Sequence, residues 1–348
     1  MKQKSLFFIL GVLSSFPAFA EEVHSIEFQG QEGQTAIDII TKKIFVSFPY
    51  EYLQDRYPLK EAKLVRIETE NNVPSTLPET VDLRTWVKFN VGADEWLVKG
   101  GYQLPGSDFG TWHQETISGF ITLGKVECEE MVGHEDQTIW DNGNPAFSAS
   151  GSKNWPTKKL KLNDDSYAAE LTTRRVMGII ASGNLFTGRI VRNMSLGQLM
   201  GFTSKDGKAL IDWGVPFEAR PTAFRIKFKY EGLGDSCTIM STLENRIDGE
   251  RRFVGVAWYS AITDNDETKE GVIRISEPDA NGLRTLETEF IYGRQHSNSD
   301  PFPPGATQGE ATEQITHVNV VFASSRRGDH FKGKKNAKLI VKDFEFIY

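Results

Sequence analysis

Trp112, Trp140, Trp155, Trp213 and Trp258 all fall after residue 105. Four of them stand in polar, loop-like stretches: Asp108-Phe109-Gly110-Thr111-Trp112-His113, Trp140-Asp141-Asn142-Gly143-Asn144, Asn154-Trp155-Pro156 and Asp212-Trp213-Gly214. An indole offers a flat apolar face and one polar edge. A saccharide offers an apolar C–H face ringed by hydroxyls, so an indole with Asn, Asp or Arg at its border matches both halves. The competing use of the same residues is to plug the ends of a β-sandwich.

Other chemistry has weaker support. Glycoside hydrolysis needs two carboxyl groups placed across the scissile bond. Glu127 and Glu129 around Cys128, and Glu287 with Glu289, would share a face if their segments are strands, but a solvated strand face reads the same way. The E-x-D-x-x-E pattern of jelly-roll glucanases does not occur. Asp264-Asn265-Asp266-Glu267 is rich in hard-cation ligands, yet it lacks the glycine and distal glutamate of an EF-hand loop and suits a hairpin tip. No histidines stand at H-x-x-x-H spacing, and G-x-S-x-G, Walker and G-x-G-x-x-G motifs are missing. Cys128 and Cys237 are the only cysteines; they form either a disulfide or two buried thiols, and neither has the context of a nucleophile.

The elements that must position these residues are strands. Period-2 alternation bounded by turn residues recurs at Ser25 to Phe28, Ala36 to Ile40, Ile44 to Phe48, Ala62 to Ile67, Val87 to Val91 and Trp96 to Val98. That spacing over about 80 residues predicts an immunoglobulin-like sandwich over 21–104, with Trp86 and Trp96 in its core. Leu104-Pro105-Gly106-Ser107 is the expected boundary. Beyond it, strands are expected at 119–123, 167–173, 179–181, 223–230, 255–259, 286–292, 317–322 and 338–348, with one short helix at 194–200 and an exposed loop at 296–308. A single larger jelly-roll sandwich over 105–348 accommodates them, so the fold class is all-β. Many sugar-binding jelly rolls hold a structural calcium where first and last strands meet; Asp108 and Asp343 are the residues for it here.

The start of the chain reads as a secretory signal. Lys2 and Lys4 precede the apolar run Leu6 to Phe16, and Pro17-Ala18-Phe19-Ala20 ends in small residues suited to a cut before Glu21. No cysteine follows the run, so a lipid anchor is not expected and the destination is periplasmic or secreted. The run is too short for a membrane anchor, and no later stretch is longer, so no transmembrane segment is expected in the mature chain. The net charge is −7, and cleavage would make it more negative. Arg251-Arg252 and Lys332 to Lys335 are short and read as solvated surface, so nucleic acid is not the expected partner.

Several motifs in order resemble the putative carbohydrate metabolism domain, a family of exported proteins mostly from gut Bacteroidetes. Ala181-Ser182-Gly183-Asn184-Leu185-Phe186-Thr187-Gly188 carries the G-N-L-F-T-G signature. Trp140 to Asn144, Asp212-Trp213-Gly214-Val215-Pro216-Phe217, Arg220-Pro221-Thr222-Ala223, Phe224 to Tyr230 and the closing Leu339 to Phe344 follow the same pattern. Thr35 to Asp38 and Lys43 to Val46 are similar to the immunoglobulin-like module that often precedes it. The resemblance implies an immunoglobulin-like domain joined to a jelly roll akin to carbohydrate-binding modules, and it carries no settled catalytic residues. Gly183, Gly188 and Gly214 would serve turns, with Asn144 and Asn184 in left-handed positions. The expectation is a non-catalytic glycan-binding protein that holds a poly- or oligosaccharide through Trp140, Asp141, Asn144, Trp213 and Arg220, the first domain acting as spacer. A hydrolase or lyase and a protein-binding adhesin are the rivals.

Overall fold

The computed structural model describes residues 21–32, 35–50, 59–119, 124–135, 137–176, 178–192, 211–260, 272–293 and 306–348. The expected signal, the strand residues 120–123, the helix 194–200, the cluster 264–267 and most of the loop 296–308 lie outside the described residues. No helix among the described residues is long and apolar enough to cross a membrane.

The chain is all-β, as its alternating sequence requires. In the first hundred residues Val23–Phe28, Ala62–Thr69 and Thr80–Val81 form one sheet. Ala36–Asp38, Lys43–Phe48, Asp94–Tyr102 and Val87–Val91 form a second, in which Lys43–Phe48 runs parallel to Asp94–Tyr102. Ile26, Phe28, Ile44, Val46, Phe48, Phe89, Trp96 and Val98 fill the space between the sheets. Trp96 is therefore core, as expected. Trp86 is half-buried instead, with the amines of Lys43 and Lys99 each 5.5 Å from its ring centre.

Two larger sheets follow. One has the spatial order Trp140–Asp141, Asn184–Ile190, His317–Ala323, Thr238–Ile247, Glu250–Tyr259, Ile291–Tyr292, with three short strands paired alongside. The other runs Thr157–Lys161, Tyr167–Thr172, Lys338–Ile347, Ala223–Glu231, Arg284–Glu289, Ile273–Ile275. In Ala223–Glu231 the residues Phe224, Ile226, Phe228 and Tyr230 point inward, while Arg225 and Lys227 point out to Glu287, Glu345 and Asp343. Phe228 meets Tyr259 across the two sheets at 5.4 Å. Hairpins Trp112–Ser118 with Lys125–Val132, and Arg174–Val176 with Ile179–Ala181, complete the strands, and the helix Asn144–Ala149 sits beside the first hairpin.

Three local expectations change. The run 286–292 is not one strand; it breaks at Phe290, where the chain passes from the second sheet to the first. Gly188 does not serve a turn but lies inside the strand Asn184–Ile190. Asn144 and Asn184 have ordinary negative φ, Asn144 opening the helix, and of the three signature glycines only Gly188 and Gly214 have positive φ.

The two halves share one continuous core. The Tyr348 ring stacks on Phe45 at 4.6 Å, and its hydroxyl donates to the Tyr102 carbonyl (2.7 Å). Gln103 brackets the Phe346 backbone with two 2.8 Å bonds, and the buried Lys99 amine donates to the Arg220 carbonyl. Burial, with Arg220 beside it, holds that amine down to about 8. Cys128 and Cys237 are both buried thiols rather than a disulfide. Burial pushes the Cys128 thiol up to about 11, which removes nucleophilic character at neutral pH.

Candidate functional site

The residues picked out from the sequence fall in four separate places. Trp140, Asp141 and Asn144 are sealed inside. Trp140 is 1% exposed; its Nε1 donates to the Pro105 carbonyl (2.9 Å), and its ring packs on Phe109, Phe322 and Phe344. Asp141 is fully buried. Its oxygens accept from Ile190 N (2.8 Å), Asn142 N (2.7 Å) and both terminal nitrogens of Arg192 (2.8 and 3.2 Å). Arg192 reaches on to Glu115 at 2.9 Å. Asn144 donates to the Glu130 and Thr157 carbonyls and accepts from Thr157 N. Every one of these polar groups is spent on the fold, which corrects the expectation that they meet ligand.

Trp213 and Trp258 do come together. With Phe186, Met240, Val256 and Val321 they form an apolar cluster on the face of the first large sheet turned away from the main core. At 7% and 5% exposure they are not the open platforms expected from their polar neighbours. Trp155 is buried on Ser148, and only Trp112 of the five is half-buried. Large rings gain more from leaving water than short polar neighbours lose, so polar sequence context misreads exposure here.

Next to that cluster lies a buried ionic group. Fully buried Glu244 accepts from Arg246 (2.7 Å), Arg251 (2.9 Å) and Asn319 (2.6 Å), and Arg246 also donates to the Trp213 carbonyl. His317 stands beside it, bonded to the Thr316 hydroxyl at 3.0 Å. Burial first, and then the charge of Arg246, hold its imidazole down to about 4. The unfolded chain takes up this proton near pH 6.5 and the folded chain only near 4, so stability must fall as pH drops through that window. We expect His317→Gln to remove about 2 kcal/mol of the acid-side loss, read from thermal unfolding at pH 7 and pH 4.5. An equal loss in both proteins would contradict this.

Asp108 and Asp343 do line one hollow of about 380 Å³, with Arg225, Lys227 and Glu345. The donor set does not suit a hard cation. Lys227 (3.0 Å) and Lys342 (2.9 Å) each hold one oxygen of Asp343, where calcium would need six or more oxygens around it. No group of three acidic, His or Cys side chains able to hold a metal occurs among the described residues. Of the sequence-paired carboxylates, three are also engaged by protein groups. Glu127 and Glu129 are on an exposed strand face, with Glu127 bonded to Gln114 and Thr116, and Glu287 and Glu289 are bridged by Arg274.

Arg220 is different. It lines a hollow of about 320 Å³ on the seam between the two halves, with Asp82, Arg84, Thr85, Glu218, Thr312, Glu313, Gln314 and their backbone. Asp82 and Arg84 come from the first half and form a two-pronged pair at 2.9 and 2.6 Å. Burial acts to raise the Asp82 carboxyl, but the Arg84 guanidinium prevails and holds it below the ordinary range. Arg220 lies over the Tyr292 ring at 4.5 Å and donates to the Glu313 (2.9 Å) and Ala311 carbonyls, fixing the loop that forms one wall. Glu218 accepts from the Tyr102 hydroxyl (2.7 Å) and Leu59 N (2.9 Å). Glu313 accepts from Glu310 N (3.0 Å) through Oε1, while its buried Oε2 has no hydrogen-bond partner among the described residues. Planar carboxylates, guanidinia and an amide crowd one hollow of the size that takes a small ligand.

Of the residues lining this hollow, the sequence singled out Arg220 and not Asp82, Arg84, Glu218 or Glu313. The alternation Phe217-Glu218-Ala219-Arg220, buried–half-buried–buried–half-buried, places Glu218 on the same side as Arg220 and was a usable signal. Nothing in sequence joins residue 82 to residue 313; only the docking of the halves does.

The chain is similar over 96% of its length, and 98% of the other chain, to a crystal structure described as a putative glycoside hydrolase from Bacteroides thetaiotaomicron, at 16% identity and a TM-score of 0.44. A second, described as a putative glycoside hydrolase from Bacteroides vulgatus, matches 76% of this chain and 96% of that one at 17% identity and a TM-score of 0.42. No curated protein matches the sequence. The family model described as "Putative carbohydrate metabolism domain" matches residues 108–347, more than two-thirds of the chain, and the chain belongs to that family.

Proposed function

We propose that this is an exported carbohydrate-binding protein of the periplasm or cell exterior, and that the seam hollow seats the saccharide. The observation that carries the reading is the convergence of Asp82, Arg84, Glu218, Arg220, Glu313 and Gln314 on one hollow in a chain of a carbohydrate-metabolism family. Sugar hydroxyls both donate and accept, and paired carboxylate and guanidinium groups satisfy both roles from fixed positions. On this reading the first half is more than a spacer, since it supplies Asp82, Arg84 and Thr85.

Binding without turnover is favoured because Glu218 and Oε1 of Glu313 are already engaged by protein donors. A hydrolase reading draws on Glu218 and Glu313 lining one hollow and on the unpartnered Oε2 of Glu313. Asp82→Ala and Gln314→Ala alter exposed side chains, so the fold should cost under about 1 kcal/mol while affinity for a glycan found by array screening falls about 10-fold or more. Unchanged affinity in both variants removes the hollow from the binding site. Release of reducing ends by the wild type, lost in Glu313→Gln, would replace binding by hydrolysis.

A further inference from the structure

The opposite end of the sandwich carries a concentration of unneutralised positive charge. The loop after the strand His317–Ala323 brings Arg326, Arg327, Lys332, Lys334 and Lys335 together, and the hairpin beside it adds Arg174 and Arg175. Thr173 N donates to the Ala337 carbonyl and Asn336 N to the Thr173 carbonyl, both at 2.8 Å, so hairpin and loop are held side by side. Gly328 packs on Ser182, whose Cβ would lie 2.3 Å from a Cβ at that glycine. The loop itself is tied down. Arg326 N donates to the Ser236 carbonyl (2.6 Å), and Asp235 accepts from Lys334 N (2.7 Å) and the Ser325 hydroxyl (2.6 Å).

None of these seven cations has an ion-pair partner among the described residues, in a chain whose net charge is −7. Elsewhere Arg66, Arg84, Arg192, Arg225, Arg246, Arg252 and Arg274 are all paired with carboxylates, and Lys338 next to the loop is paired with Glu170. Two members stand out. The Arg326 guanidinium lies over the Trp258 ring at 4.6 Å, and its side chain has no carboxylate partner among the described residues. Nε of Arg174 is buried without a hydrogen-bond partner. Like charges brought this close repel one another. Of the carboxylates at this end, Asp235 is engaged by the Lys334 amide and the Ser325 hydroxyl, and Asp329 by His330.

We propose that this end is a docking surface for an anionic polysaccharide, one bearing carboxylate or sulfate groups. The cations sit on a preformed surface rather than a pliant tail, so little ordering cost opposes binding. Choosing a saccharide over another polyanion rests on the carbohydrate reading above. Surface and seam hollow lie at opposite ends of the strand His317–Ala323, roughly 23 Å of extended chain apart, a span that suits a polymer touching both.

The test uses the full mature chain and the variant Lys332→Gln/Lys334→Gln/Lys335→Gln, whose three side chains are exposed and whose fold should be unaffected. Polygalacturonate, heparin, a neutral galactan and duplex DNA are compared by affinity electrophoresis. Retardation by polygalacturonate or heparin at about 50 mM salt, weakened roughly 10-fold or more at about 200 mM and again in the variant, is the expected result. Retardation by polygalacturonate identifies carboxylate as a sufficient anion; retardation by heparin alone, which carries both groups, identifies sulfate. No retardation by either, retardation unchanged in the variant, or tighter binding to DNA overturns the proposal. The seam reading fails separately: galactan binding lost in Asp82→Ala but kept in the triple variant supports the hollow whatever the acidic polymers do.

Discussion

Asp141→Ala is expected to destabilise the protein by about 3–5 kcal/mol and to lower its melting temperature by roughly 10 °C, with glycan affinity unchanged below the transition. The carboxylate is fully buried and receives four hydrogen bonds, two of them from Arg192. Burial pushes its carboxyl up, against the pull of that guanidinium. Removing it strands the Ile190 and Asn142 amides and leaves Arg192 with Glu115 as its remaining anion. Breaking one side of a buried pair costs more than the pair contributes, because the partner's desolvation is no longer offset. Asp141→Asn keeps an acceptor near both amides and should cost less, about 1–3 kcal/mol. Thermal or denaturant unfolding beside a binding titration separates the roles. A variant that melts within a degree or two of the wild type but loses its glycan would return Asp141 to the binding site.

That outcome bears on what the sequence could disclose. Alternation made the strands legible where one face meets solvent: Ala223–Glu231 reads directly as Phe, Ile, Phe and Tyr inside with Arg and Lys outside. It failed for Thr238–Ile247, buried on both faces along most of its length, where apolar and polar residues follow each other without a period. The run 286–292 looked unbroken because a change of sheet at Phe290 leaves no mark in hydropathy. The site was harder still. Trp-Asp-Asn-Gly-Asn has the composition of a binding loop, yet Asn142 and Asn144 turn inward to the Glu130 carbonyl. Short polar side chains that cap backbone groups and those that cap a ligand are the same residues. Lys332 to Lys335 read as solvated and are exposed; their nearness to the hairpin arginines 174 and 175, some 150 residues away in sequence, was not legible because the two segments meet only through Thr173.

The signature run offers the other large effect. Gly183→Ala should cost more than about 4 kcal/mol or abolish folding, and the reason is space rather than torsion. Gly183 has no positive φ, but a Cβ there would lie 2.3 Å from Thr172 N, 2.5 Å from the Pro156 carbonyl oxygen and 2.7 Å from the Leu171 carbonyl carbon. All three are backbone atoms, and the first two are joined by a 2.7 Å hydrogen bond at an edge of the second large sheet. Gly183 itself exchanges bonds with Ser324, its carbonyl accepting from Ser324 N (2.9 Å) and its amide donating to the Ser324 hydroxyl (3.0 Å). A methyl group therefore has to part the strand Tyr167–Thr172 from the residue that anchors Asn184–Ile190, and no side-chain rotation can relieve it. Gly188→Ala adds a second fault, a φ of 128° with a Cβ 2.2 Å from the Asp212 carbonyl oxygen. Gly143→Ala is the matched control: its Cβ would meet only the Asn184 side chain, at 3.3 Å, and should cost under about 1.5 kcal/mol. Soluble yield and unfolding midpoints of the three variants decide the matter. If Gly183→Ala melts like Gly143→Ala, the signature is not held by close packing, and its glycines must be explained by what binds beside them.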